Sequence, residues 1–364
     1  MTDPNTQAPV DSAVADLVAS GHLDADMARA LHALPKAELH VHLDGSIRPQ
    51  TMIELAAQYD VQLPSTDPVE LGRLMRADDS RDLEDYLKKF AITLSVMQTP
   101  EALERIAYEL AEDHALENVR WLEVRFSPWL NTQGGLTMGE VLEAVDRGLA
   151  RAERDFDIKT GVIVCALRHL DPAISRDLAE LAVAHRAHRV VAFDLAAGEA
   201  GNPAALHADA FHIAAEADLS RTVHAGEAFG PPSIRQALLE CDAHRIGHGT
   251  RLLEDASLEA YVRDHRVPIE ICLTSNVQTR VAPTFAEHPV RRYFDDGIML
   301  TLCTDNRLVS GTTVTREYAL AHLHLGFTLD ELRQVARMGF EAAFVPWPHK
   351  VAMLKRFDAE VGSV

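Results

Sequence analysis

Short runs of apolar and β-branched residues recur along this chain, separated by stretches whose apolar positions fall three and four apart. The runs lie at 37–43, 121–127, 161–167, 190–195, 221–224, 244–248, 268–273 and 298–304. Continuous apolar runs of this length read as strands buried on both faces, and the stretches between them read as helices. Eight such alternations predict class α/β and a (β/α)8 barrel. Helix starts agree: Thr99-Pro100 places proline in a first turn, and Pro231-Pro232 precede Ile234-Arg235-Gln236-Ala237-Leu238. The segment from Gly45 to Arg120 is too long for one crossover. It carries Leu83, Tyr86, Leu87, Phe90, Leu94 and Met97 at helical spacing, which predicts a helical insertion after the first strand, lying over the barrel mouth. Its apolar stripe reads as packing surface rather than as a cofactor box. Residues 1–10 are polar and Pro-containing and are expected to be disordered, and a helical stretch then runs to Pro35. With no repeat, low-complexity tract or linker, residues 11–364 read as one domain.

Composition narrows the partners. A formal charge of −20 in 364 residues argues against nucleic acid, which needs a basic footprint, and leaves a small neutral or cationic substrate as the better fit. The four cysteines, Cys165, Cys241, Cys272 and Cys303, are far apart, and three sit in apolar runs, which predicts buried thiols in a reducing cytoplasm. The first positively charged side chain is Arg29, and about 18 apolar residues never run together, so neither a standard export signal nor a membrane partner is expected. Nothing in the sequence bears on oligomeric state.

Candidate chemistry gathers at the ends of the predicted strands. His40 and His42 alternate along the first strand, so both rings point to one face. His224 ends the fifth strand and Asp305 the eighth, at the C-terminal mouth where such barrels carry their active sites. Three imidazoles and one carboxylate suit a single Zn²⁺ with room for a water. Glu227 follows His224 by three residues across Gly226, so its carboxyl group can exchange a proton with substrate. His248, flanked by glycines in Arg245-Ile246-Gly247-His248-Gly249, can orient or deprotonate that water, or serve as an ordinary core histidine. Asp44 can bond substrate hydroxyls or cap its Asp-Gly turn. Ala197 lies in Phe193–Glu199, whose small residues suit either a close ligand approach or a plain strand-to-helix turn. Asn306 stands beside Asp305, placed to cap a turn or to bind substrate.

The segments Ala37–Ser46, Val190–Gly201, Val223–Phe229, Arg245–Gly249, Thr274–Gln278 and Thr304–Ser310 together resemble the adenosine deaminase family, and the Thr-Asp-Asn-Arg-Leu and Ser-Asn-Val-Gln-Thr forms resemble its actinobacterial members. The resemblance implies a (β/α)8 barrel and one zinc on His40, His42, His224 and Asp305. It implies Glu227 as the proton donor to purine N1 and His248 beside the water. It also implies Asp44 at the ribose, with His42 near the substrate, and the turn holding Ala197 at purine N3. The expected reaction is hydrolysis of adenosine, and of 2′-deoxyadenosine, to inosine and ammonia in purine salvage. Adenine, a nucleotide, aminodeoxyfutalosine and non-catalytic purine binding are the rivals. Many relatives have Gly at Ala197 and Asp at Asn306. The bridging lysine of a binuclear amidohydrolase is missing from Phe193–Glu199, and the Pro-Cys-x-x-Cys of cytidine-type deaminases does not occur.

Overall fold

The computed structural model describes residues 12–362, so the stretch expected to be disordered at 1–10 lies outside them. Eight strands form one parallel sheet in sequence order: β1 Lys36–His42, β2 Val119–Phe126, β3 Lys159–Leu167, β4 Val190–Ala196, β5 Ser220–Ala225, β6 Arg245–His248, β7 Ile269–Ile271 and β8 Leu300–Leu302. Helices fill the crossovers, as parallel strands require. β7 and β8 are much shorter than their apolar runs. Leu273 already opens the short helix Leu273–Gln278, and the run at 298–304 pairs as a strand only over Leu300–Leu302.

The last seam closes on very little. Between β8 and β1 a single bridge, Val41 with Asp305, joins the sheet ends. The His42 N–H donates to the Asp305 carbonyl at 2.7 Å, and the Asp305 N–H donates to the His40 carbonyl at 2.8 Å. Glu38, buried in β1, reinforces the seam by accepting from the Thr304 N–H at 3.0 Å and the Thr304 hydroxyl at 2.8 Å.

The insertion folds as helices Pro49–Tyr59, Pro68–Met75, Leu83–Leu87, Phe90–Leu94 and Pro100–Leu116. The apolar stripe is broken into two short helices at Lys88 and Lys89. Its role also differs from the expected one. Met97 is buried in the core, but Leu83, Tyr86, Leu87, Phe90 and Leu94 line the cavity over the strand ends. An apolar face looks the same in sequence whether it packs on protein or walls a ligand site.

Inside the barrel the apolar pattern is interrupted by a layer of buried charge. Arg125 donates to Asp194 at 2.9 Å and to Glu270 at 2.8 Å. Arg245 donates to Glu270 at 2.6 Å and to Glu123 at 2.5 Å. All five side chains are at most 1% exposed. Ions buried this deeply persist only when paired, and removing one member of such a set costs about 3–5 kcal/mol.

Candidate metal centre and its cavity

That charged layer orients the histidines above it. The His40 Nδ1 lies 2.8 Å from Glu270 Oε2, and the His224 Nδ1 lies 3.1 Å from Asp194 Oδ2. A carboxylate at Nδ1 holds the proton there and turns the Nε2 lone pair outward, the arrangement typical of metal-binding histidines. The lone pairs converge. His42 Nε2 sits 3.2 Å from His224 Nε2 and 3.4 Å from Asp305 Oδ1, and His40 Nε2 sits 3.5 Å from the same oxygen. His40 Nε2 is buried with no hydrogen-bond partner. His40 and His224, with their protons held at Nδ1, turn only acceptors toward the carboxylate oxygen, so a cation fits the space between them and the donor set suits zinc. The four residues expected to be ligands are thus brought together from β1, β5 and the end of β8.

Electrostatics fit the same picture. Burial would raise the Asp305 pKa, but the neighbouring His40, His42 and His248 outweigh it and hold the carboxyl group far below the usual range. Burial pushes His224 down despite the pull of Asp194.

The other expected residues face the same cavity, of about 270 Å³. Glu227 is buried and lies 3.7 Å from His248 Nε2. Burial, with the charges of Asp305, Glu199 and Glu84, drives its pKa well above the ordinary carboxyl range and so favours its protonated form. The loop holding it is fixed by Glu199, whose carboxylate accepts from the N–H groups of Gly226 at 2.7 Å, Glu227 at 3.0 Å and Phe229 at 2.8 Å. Asp44 lines the cavity with a buried Oδ1 that has no partner, and burial raises its pKa to about 7. Ala197 sits at the rim with φ 74°, a left-handed value that favours glycine.

Asn306 is held from above and below. Its Nδ2 donates to the Tyr86 hydroxyl at 2.8 Å, and its Oδ1 rests over Gly45, where an added Cβ would lie 1.6 Å away. Sequence reasoning leaves Glu199, Asp194, Glu270, Arg125 and Tyr86 without roles. For Arg125, Asp194 and Glu270 a signal exists: a charged residue inside an apolar strand run is either paired or functional.

Comparison with known proteins identifies the chain. The family model described as adenosine deaminase matches residues 35–360. The chain belongs to the adenosine deaminase family. Adenosine deaminase 1 of Streptomyces coelicolor is 42% identical over 88% of this chain and 85% of its own length. The probable adenosine deaminase of Dictyostelium discoideum is also 42% identical, and the chain spans 41% of that longer relative. Among solved structures, the adenine deaminase of Arthrobacter aurescens superposes with a TM-score of 0.85 at 27% identity, over 90% of this chain and 99% of that one. A zinc-bound amidohydrolase from Burkholderia ambifaria superposes with a TM-score of 0.84 at 25% identity, over 94% of this chain and 95% of its own. As a family member the chain is an enzyme, a hydrolytic deaminase on a metal-dependent scaffold.

Proposed function

We propose that the enzyme converts adenosine to inosine and ammonia, and deaminates 2′-deoxyadenosine likewise, with one zinc held by His40, His42, His224 and Asp305. The observation that carries this reading is a carboxyl group, Glu227, buried beside that cluster on the wall of a cavity of about 270 Å³. Bound zinc supplies Lewis acidity that makes water a nucleophile near neutral pH. Glu227 donates its proton to purine N1, which draws electron density from C6 and opens it to attack. In balance, that proton becomes the N1–H of the product. The two protons of the attacking water restore Glu227 and complete the departing ammonia.

Recognition follows from the walls. Asp44 Oδ1, buried and unpartnered, is set to accept from a ribose hydroxyl, and the second Asn306 Nδ2 proton to donate to purine N7. The Ala197 N–H faces N3, and His42, on the cavity wall, lies against the substrate. Leu83, Leu87, Phe90 and Leu94 cover the mouth and exclude water. No lysine or arginine is among the described residues lining the cavity, whereas Asp44, Glu227 and Asp305 are. A phosphate monoester would find no lysine or arginine there to pair with, which favours a nucleoside over a nucleotide. Four buried free cysteines fit a cytoplasmic enzyme. No described helix is long and apolar enough to cross a membrane.

The test is ammonia release from adenosine, 2′-deoxyadenosine, adenine, AMP and aminodeoxyfutalosine. The two nucleosides should dominate, and a preference for adenine or AMP would overturn the reading. Glu227→Gln should keep its metal and fold while turnover falls by about 10²–10⁴-fold. Because Glu227 acts in its protonated form, kcat/KM should hold on the acid side of its raised pKa and decline as pH rises through it. A rate that climbs through that range would remove Glu227 as the donor.

A further inference from the structure

His248 does not stand alone behind the metal centre; a chain of buried side chains leads to it from the barrel wall. The Val290 N–H donates to His288 Nδ1 at 3.2 Å. His288 Nε2 lies 3.1 Å from Asn276 Oδ1, and Asn276 Nδ2 lies 3.0 Å from His248 Nδ1. All three side chains are buried, with exposures of 3% for His288, 0% for Asn276 and 1% for His248.

The direction of each bond is fixed from the first. A backbone N–H can only donate, so His288 Nδ1 must accept. A neutral imidazole has one N–H, which then sits on Nε2 and donates to the Asn276 oxygen. Burial favours that neutral form, pushing the His288 pKa down to about 3. Rotating the Asn276 amide by half a turn would set its NH2 against the His288 N–H, two donors facing each other. The amide must therefore offer its NH2 to His248 Nδ1.

We infer that Val290, His288 and Asn276 form a one-way relay that locks His248 in the Nε2–H tautomer, making it a hydrogen-bond donor to the attacking oxygen and not a base for it. His248 holds a left-handed backbone, φ 65°, and turns its ring toward the cluster. One ring nitrogen lies within 4.8 Å of ligand atoms of His40, His224 and Asp305. With Nδ1 taken by Asn276 and Nε2 already protonated, the ring has no lone pair for a water proton. It would then also have none for a metal, although the ring stands among the groups within reach of one ion, with His40, His224 and Asp305. Asn276 and His288 are positioning residues, since they act only through His248. The inference rests on the proposed deaminase reading for the identity of the attacking oxygen, but not for the tautomer.

The tautomer can be read without turnover. In ¹⁵N-histidine-labelled, metal-loaded protein, long-range ¹⁵N–¹H correlation separates Nδ1–H from Nε2–H rings, with His248 assigned by the signals lost in His248→Gln. The parent should show His248 protonated at Nε2 alone. Asn276→Asp replaces the donor with an acceptor, so His248 should switch to Nδ1–H and kcat should fall by about 10²–10³-fold, the scale for losing a donor aimed at developing negative charge. His288→Leu should lose part of that activity and His288→Gln, whose amide can still donate to Asn276, should recover it. A parent His248 protonated at Nδ1, or at both nitrogens at pH 7, overturns the proposal, and that measurement decides even if a variant fails to fold. So does an Asn276→Asp enzyme with a switched tautomer and unchanged kcat. Loss of ammonia release from adenosine in the parent itself would instead count against the substrate reading and leave the tautomer to the spectrum.

Discussion

Three residues at the barrel mouth hold backbone conformations that L-amino acids avoid: Ala197 at φ 74°, His248 at 65° and Asp305 at 59°. Each ends a strand or lies just beyond one, where a turn of the chain aims a side chain or an N–H into the cavity. Such a conformation costs about 1–2 kcal/mol for a residue with a Cβ, and strain of this kind concentrates at functional sites. For His248 and Asp305 the side chain is the reason to bear it. Ala197 has no such reason, because the proposed substrate contact uses only its backbone. Ala197→Gly should therefore stabilise the enzyme by about 0.5–1 kcal/mol, the left-handed relief less the extra freedom glycine has when unfolded. Its kcat/KM for adenosine should be retained. Denaturant unfolding checks the first statement, and a destabilised variant would mean that the Ala197 methyl group contributes packing that outweighs its strain.

Between elements, the most consequential tie is the one from the insertion to the helices Arg307–Ser310 and Val314–Leu325 after β8. Glu117 caps the helix Pro100–Leu116 and is buried. It pairs with Arg307, and its other oxygen accepts from the Thr315 N–H at 2.8 Å. Burial alone would raise its pKa, but Arg307, His114 and the Thr315 N–H reverse this and bring it to about 2 from 4.5. A depressed carboxyl pKa gives stability that is present above the unfolded value and lost as pH falls toward the folded one. Glu117→Gln should then be less stable than the parent by about 3 kcal/mol at pH 7, with the difference shrinking from pH 4.5 downward. A pH-independent difference would assign the loss to packing. This tie shows where sequence reasoning stops. Strand runs and helix spacing are local patterns, so the alternation of elements reads directly from the chain. Glu117 with Arg307, Tyr86 with Asn306 and His288 with His248 join residues far apart in sequence, and no spacing rule connects them.

At the scale of the molecule, the candidate ligands are readable because the fold and the chemistry constrain each other: a barrel presents strand ends at one mouth, and His40, His42, His224 and Asp305 all sit there. The supporting layer is harder to read, since Asp194, Glu270 and Arg125 look alike as charged residues in apolar runs until the barrel closes and shows which pairs with which. The same layer predicts how metal removal acts. Stripping the ion leaves buried lone pairs converging on nothing, so chelation should lower the thermal midpoint and reloading with zinc should restore it, by an amount that grows with the logarithm of free metal. A midpoint indifferent to chelator would mean that the cluster contributes nothing to folding.

The one backbone bridge found between the sheet ends among the described residues runs through Asp305, which is also the residue expected to hold the ion. An ion held by the proposed ligands would join β1, through His40 and His42, to the end of β8, through Asp305. Its departure and the parting of that seam would then be one event in time. Exchange of the bound metal into a strong chelator should then be slow, at a rate that does not depend on chelator concentration. It should match the hydrogen exchange of the His42 and Asp305 amides, whose bonds close the barrel.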